Sequence, residues 1–71
     1  MARKNESIKI LGEVAKQQKL SFTKISTDKG IAFEFVNKSD AELALKLALR
    51  VRGFVDYLAD LNGSEIHVDF N

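Results

Sequence analysis

No cysteine occurs in this chain of 71 residues, so neither a disulfide nor a thiolate zinc site can supplement its hydrophobic core. A domain of this length buries only about 60% of the surface that its unfolded chain exposes, which makes such a core marginal. Hydrophobic residues make up 45% of the sequence, well above the level of a disordered chain. We therefore expect one folded domain, stabilised by a partner or a second copy, in a reducing compartment such as the cytoplasm.

The inventory of reactive side chains argues against an enzyme, because the chain has one histidine and no cysteine. This histidine, His67, lies between Glu65 and Asp69 at two-residue spacing. Side chains two apart on a strand are about 6–7 Å from each other, too far to share one metal ion. We expect a solvated strand face there and no catalytic residue, cofactor or metal. No run approaches the ~20 apolar residues that cross a bilayer, so no membrane partner is expected.

The first 18 residues contain a tail and a helix. Residues 1–4 are polar and terminal, which predicts a disordered basic tail, and residues 5–71 are predicted to form one domain. Apolar residues at spacings of three and four predict an amphipathic helix from Asn5 to about Gln18: Ile8, Leu11, Val14 and Ala15. Gly12 costs this helix about 1 kcal/mol relative to alanine, which predicts close packing on a neighbour.

Two segments rich in β-branched and aromatic residues follow, at 20–27 and 31–36, and the turn between them predicts a β-hairpin. A three-residue loop over residues 28–30, with its glycine at positive φ, is the favoured connection. This loop pairs Lys24 with Glu34 across the two strands, and the opposite charges support the pairing.

The hairpin register decides which side chains lie on the open face of the sheet. The three-residue loop places an apolar group at one end of that face: Leu20, Phe22 and Val36. A two-residue loop would instead place Phe22 beside Phe35 in the core. The sequence leaves both registers open.

A second and longer helix is predicted to begin at a capping box formed by Ser39 and Glu42. It runs to about Leu61 and ends at the Asn-Gly pair of residues 62–63, where left-handed backbone commonly terminates a helix. Residues 64–70 then alternate between apolar and polar, which predicts a half-buried strand.

These elements give an α+β domain of α-β-β-α-β order. A three-stranded sheet with both helices packed on one face buries the apolar side of every element. The last strand lies either parallel beside the second strand or antiparallel beside the first, and we favour the antiparallel placement.

Two leucines break the apolar pattern of the predicted long helix. Leu45 and Leu49 are four residues apart and point into the polar half, beside Arg52 and Asp56. Together with the apolar end of the sheet they predict a surface that buries against another chain: Leu20, Phe22 and Val36. We therefore expect a small non-enzymatic protein–protein interaction module that forms a homodimer or binds a protein partner.

The charges are unevenly distributed, although the net charge is only +1. Residues 1–29 carry seven basic and three acidic side chains, whereas residues 30–71 carry four basic and seven acidic ones. Basic residues of the tail and first helix suit phosphate contacts: Arg3, Lys4, Lys9, Lys16 and Lys19. A nucleic-acid-binding accessory protein is therefore the alternative function.

Residues 29–35, followed by residues 40–44, resemble the RNP1 string of the RNA-recognition motif and the helix after it. The resemblance implies that Phe33 lies on an open RNA-binding face. The sequence departs from the motif because Ile31 replaces the first stacking aromatic and no strand with a second aromatic precedes the first helix. A half-buried strand joined to a helix is the favoured interpretation.

Overall fold

The first helix, α1, spans Ala2–Gln17. The structure is a computed structural model that describes residues 2–54 and 59–69, and the side chains of 6–54 and 59–69. Residues 2–4 therefore have helical backbone, and the prediction that they form a tail is wrong. The predicted end of the helix is confirmed to within one residue.

The end of α1 is a Schellman motif built on a lysine. Lys19 adopts a left-handed conformation, with φ of 59°. The amide of Leu20 donates to the carbonyl of Ala15 at 2.9 Å, and the amide of Lys19 donates to that of Lys16 at 3.0 Å. These two bonds satisfy carbonyls that the helix end leaves unpaired. Leu20 then packs against the core, as the apolar residue of this motif commonly does.

The hairpin consists of β1 (Phe22–Ser26) and β2 (Gly30–Phe35). Phe22 pairs with Phe35 and Lys24 with Phe33, so the two-residue loop is the observed one. The favoured three-residue loop and its Lys24 to Glu34 pair are wrong. Gly30 has no positive φ; a Cβ there would instead overlap the backbone of Val68 on the neighbouring strand.

The second helix, α2, spans Lys38–Ala48 and begins one residue before the predicted Ser39. Its N-cap is Asn37, whose side-chain oxygen accepts from the amide of Asp40 at 2.8 Å. Ser39 thus lies inside the first turn, and the predicted capping box is wrong. Asparagine and serine cap equally well, so composition alone does not choose between them.

The prediction of a helix up to Leu61 is also wrong, because α2 ends at Ala48. Residues 49–54 form tight turns, within which Gly53 has a positive φ of 101°. Strand β3 (Ala59–Asn62) then forms a hairpin with β4 (Glu65–Asp69). Gly63 begins the two-residue loop between them at φ of 63°, which is typical of a type II′ turn.

The strands form one antiparallel sheet in the order β1-β2-β4-β3, where three strands were predicted. The last strand pairs with β2, and both placements offered from the sequence, parallel beside β2 or antiparallel beside β1, are wrong. The reason is β3: its hairpin reverses the chain, so β4 runs antiparallel to β2. Within the described residues no helix is both long and apolar enough to cross a membrane.

The core lies between one face of the sheet and the two helices. Phe33, Ile66 and Val68 share that face and are fully buried, together with residues of both helices. The buried residues of α2 are all alanines: Ala41, Ala44 and Ala48. Small side chains let α2 approach closely. Leu45 flanks this alanine stripe and packs against the core, so the prediction that it points away is wrong.

Two glycine-to-alanine substitutions distinguish this fold from the predicted long helix. Gly53→Ala is expected to destabilise the protein by about 1–2 kcal/mol, because alanine is strained at this positive φ. In a continuous helix the same change would stabilise. Gly12→Ala is the control inside α1, where a Cβ meets Phe33 at an ordinary 3.8 Å, and it should stabilise by up to about 1 kcal/mol. Urea denaturation of both variants measures whether the free energy of unfolding falls for Gly53→Ala and rises for Gly12→Ala.

The N-cap of α2 gives a second test. Asn37→Ala should cost about 1 kcal/mol of unfolding free energy, because the amide of Asp40 loses its acceptor. Ser39→Ala should change stability by less than about 0.5 kcal/mol, as expected for a surface substitution. Equal losses in thermal or denaturant melts, or a larger loss for Ser39→Ala, would contradict the observed cap.

Candidate functional site

A groove of about 340 Å³ separates α1 from the edge strand β1. Lys24 of β1 lines one side of the groove, and Phe22 of the same strand lines its floor. The other wall belongs to α1 and comprises Ile8, Lys9, Gly12, Glu13 and Lys16. These helix residues recur at spacings of one, three and four, so they occupy one flank of α1 beside its buried face.

Phe22 is the aromatic floor of the groove. Its ring centroid lies 5.5 Å from that of Phe33 and 5.7 Å from that of Phe35, both tilted by 37°. These distances are within the range of favourable aromatic pairs. Phe33 and Phe35 are buried and Phe22 is half-buried, so the floor of the groove packs directly against the core.

Gly12 keeps the middle of the groove open. Close packing was predicted to explain this glycine, but a Cβ would meet Phe33 at 3.8 Å and Phe22 at 4.0 Å, both ordinary contacts. Its φ is not positive either. Neither backbone conformation nor packing therefore requires glycine here, although glycine costs a helix about 1 kcal/mol. A side chain at this position would project toward Phe22 and Phe33, into the groove that Gly12 lines.

Lysines surround the opening of the groove. Lys9, Lys16 and Lys24 line it and are exposed, against a single carboxylate, that of Glu13. Within the described part of the chain none of these lysines forms an ion pair with a carboxylate. The groove therefore carries an excess of positive charge available to a ligand.

Among the described strands, β1 ends the strand order and presents a backbone edge beside the groove that no other described strand pairs with. Thr27 and Gly30 exchange both backbone hydrogen bonds across the hairpin. Because hydrogen-bonded pairs alternate along an antiparallel ladder, residues 23 and 25 bond to β2. The amides and carbonyls of Phe22, Lys24 and Ser26 consequently point outward, where another strand can pair with them.

A second, shallower groove of about 240 Å³ lies at the start of β1. It shares Phe22 with the first groove and extends to Val36, which is 71% exposed. The remaining lining residues are Ser21, Thr23, Glu34 and Phe35. The edge of β1 is thus flanked by concave surface both on its helix side and at its N-terminal end.

The structure separates the residues predicted to form a partner surface. Leu49, just after α2, is 50% exposed, and Arg52 is exposed in the following turn, whereas Leu45 packs against the core. Asp56 lies outside the described residues. Of the sheet group, Val36 is exposed, while two residues are half-buried and packed against the core: Leu20 and Phe22.

The residues predicted to bind nucleic acid follow α1. Lys9, Lys16 and Lys19 are exposed, and the first two line the groove. Arg3 and Lys4 have helical backbone, and their side chains lie outside the described set. Lys24 was not among the predicted nucleic-acid-binding residues, because the three-residue loop placed it on the open face opposite Glu34. The two-residue loop register, kept as the alternative, is the signal that places Lys24 on the helix side.

The opposite face of the sheet is acidic. Its charged groups are His67 and four carboxylates: Glu34, Asp60, Glu65 and Asp69. Glu34 and Glu65 are directly opposed on neighbouring strands, an unfavourable arrangement that is eased by a 2.8 Å contact between Glu65 Oε1 and His67 Nε2. Over residues 6–54 and 59–69, no three such side chains converge in a way that could hold a metal ion.

Phe33 occupies a position that excludes the RNA-recognition surface implied by the RNP1 resemblance. Its side chain is fully buried under the helices instead of lying on the open face.

Comparisons with protein-family models, with curated proteins and with solved structures find no match to this chain. The groove and the strand edge are therefore the features that point to a function.

Substitution of Phe22 tests whether the groove floor is anchored in the core. Phe22→Ala should destabilise by about 2–3 kcal/mol, because the ring loses contact with two buried phenylalanines but is itself only half-buried. Phe33→Ala, the fully buried reference, should cost more, about 3–5 kcal/mol or the fold itself. A neutral Phe22→Ala in chemical denaturation would contradict an anchored floor.

Proposed function

We propose that this protein is a non-enzymatic protein–protein interaction module that binds an extended segment of its partner along β1. The observation that carries the proposal is the outward-facing backbone edge of β1 directly beside the groove under α1. Strand addition beside a helix-lined groove is a recurrent mode of peptide recognition: the main chain supplies affinity, and pockets for alternate side chains supply specificity.

The bound segment would pair with the outward groups of Phe22, Lys24 and Ser26. β1 is five residues long, so a partner strand of similar length satisfies all three positions. Side chains of the added strand alternate between the two faces of the sheet. Every second one would enter the groove between α1 and β1, and the others would lie toward the acidic face.

The occupant of this edge is a different protein, not a second copy of β1. The symmetric antiparallel register that uses all three outward positions sets Lys24 against Lys24 of the second copy and Phe22 against its Ser26. Directly opposed like charges destabilise a strand pair, and lysine on an edge strand commonly blocks such pairing. A homodimer through Leu45 and Leu49 is also a weaker proposal, because Leu45 is packed against the core.

Single-stranded nucleic acid is the second candidate for the same groove. Lys9, Lys16 and Lys24 suit phosphate groups, and an aromatic floor suits a base. The strand edge favours the peptide, because its unpaired amides and carbonyls match a second backbone and not a sugar–phosphate chain.

A proline on the strand edge tests the proposal. Ser26→Pro removes one outward amide while leaving the hydrogen bonds to β2 in place, as proline on edge strands does. Peptides selected from a displayed library of random 12-residue sequences should bind Ser26→Pro at least tenfold more weakly than the unmodified chain, by fluorescence anisotropy. Ser26→Ala is the matched control and should bind normally.

Thermal melts of both variants show whether the fold persists. A folded Ser26→Pro that binds the selected peptides as well as Ser26→Ala does would overturn strand addition. Failure to select any peptide dependent on β1 would do the same.

A further inference from the structure

We infer that the groove between α1 and β1 selects acidic extended segments, with glutamate or aspartate at two of the alternate positions that face the groove and one apolar side chain at the third, between the helix and Phe22. This inference rests on the proposed strand addition at β1. It adds the chemical identity of the partner, which an unpaired backbone edge leaves undefined.

Charge complementarity carries the acidic part. Three exposed lysines line the groove against Glu13 alone, and in the described part of the chain they lack carboxylate partners. The opposite face of the sheet has the reverse charge. The described strands place four carboxylates on that face and no lysine or arginine there. A segment bound at β1 therefore meets positive charge from the groove side only.

The spacing of the lysines fits an extended chain. Lys9 and Lys16 lie two turns apart on α1, about 10 Å along the helix axis. Side chains on one side of a strand recur at about 7 Å. Lysine side chains are long and flexible enough to span the difference, so two acidic side chains separated by one residue can each reach a lysine. Lys24 lines the groove from β1, so it would lie opposite the segment that pairs with this strand.

The floor of the groove carries the apolar part. Ile8 and Phe22 are half-buried, and Gly12 leaves the space between them open. An apolar side chain placed there covers surface that is otherwise in contact with water. The rim and the floor together favour a segment that presents both acidic and apolar side chains on its groove-facing side over one that presents acidic side chains alone.

Lys24 has opposite effects on two possible partners of β1. Against a second copy of β1 it meets another lysine and repels it; against an acidic strand it is attracted. Specificity of this kind combines a favourable contact for one partner with a penalty for another. The edge is thus protected from self-pairing by the residue that recruits the acidic partner.

The experiment uses three synthetic nine-residue peptides that differ only in charge, with Glu, Gln or Lys at every second position apart from one Val in that set, and Thr or Ser elsewhere. Anisotropy titrations with the full chain at 50 mM and 300 mM salt are expected to give a Kd at least about tenfold lower for the Glu peptide than for the Lys peptide. This preference should shrink at the higher salt, because exposed charge pairs are screened.

The matched variants carry two charge reversals each. Lys9→Glu with Lys24→Glu reverses charges in the groove and should remove or invert the preference for the Glu peptide. Lys29→Glu with Lys46→Glu produces the same net charge at two exposed positions away from the groove and should keep it. Equal effects of the two double variants would overturn the inference, because binding would then respond to net charge alone.

The remaining outcomes separate this inference from the proposed function. If all three peptides bind alike and Ser26→Pro abolishes binding, strand addition stands and acidic selection is overturned. If no peptide binds, both are overturned. A twelve-nucleotide oligothymidine that binds more tightly than the Glu peptide overturns acidic selection in favour of nucleic acid. Self-association that Ser26→Pro abolishes would identify a second copy as the occupant and overturn it as well.

Discussion

The two-residue loop of the first hairpin sets the face on which every side chain of β1 lies. Thr27 and Gly30 close this loop, and each step along the ladder then pairs residues whose numbers add to the same total. A shift by one residue would move Phe22 out of the core and Lys24 to the other face. The aromatic floor of the groove, its lysine wall and the outward positions of the strand edge all depend on this register.

Gly30 contributes to the pairing of β2 with β4, as the two-residue loop does to the pairing of β1 with β2. No side chain fits there, because a Cβ would overlap the backbone of Val68 on β4. The close approach holds β2 and β4 together at the centre of the sheet, where Phe33 and Ile66 are paired and fully buried. α2 completes the core with alanines, while Leu43 on the helix and Leu49 at its C-cap remain exposed.

Local sequence patterns correctly predicted those helices and strands whose pattern fits only one type of secondary structure. The end of α1 and β4 were predicted from periodicity, and the two strands of the first hairpin from their β-branched and aromatic composition; all of these are confirmed. β3 was missed because the Asn-Gly pair at 62–63 terminates helices and also forms hairpin turns, and apolar spacing in short segments does not separate the two. β3 is four residues long and exists because Ala59 and Leu61 pack against the core, an interaction that no local window contains.

The candidate site was harder to predict than the fold, because it joins residues from α1 and β1 that only the register brings together. Lys9 and Lys16 were recognised as a basic flank, but Lys24 and the role of Gly12 required the structure. The same geometry explains why the uneven charge of the sequence persists in the fold. The basic N-terminal elements form the groove side, and the acidic C-terminal strands contribute most of the opposite face, so the sheet separates the two charges. An edge strand located between a basic groove and an acidic face offers a binding chain different electrostatics on its two sides, which fixes the orientation of its alternating side chains as well as its composition.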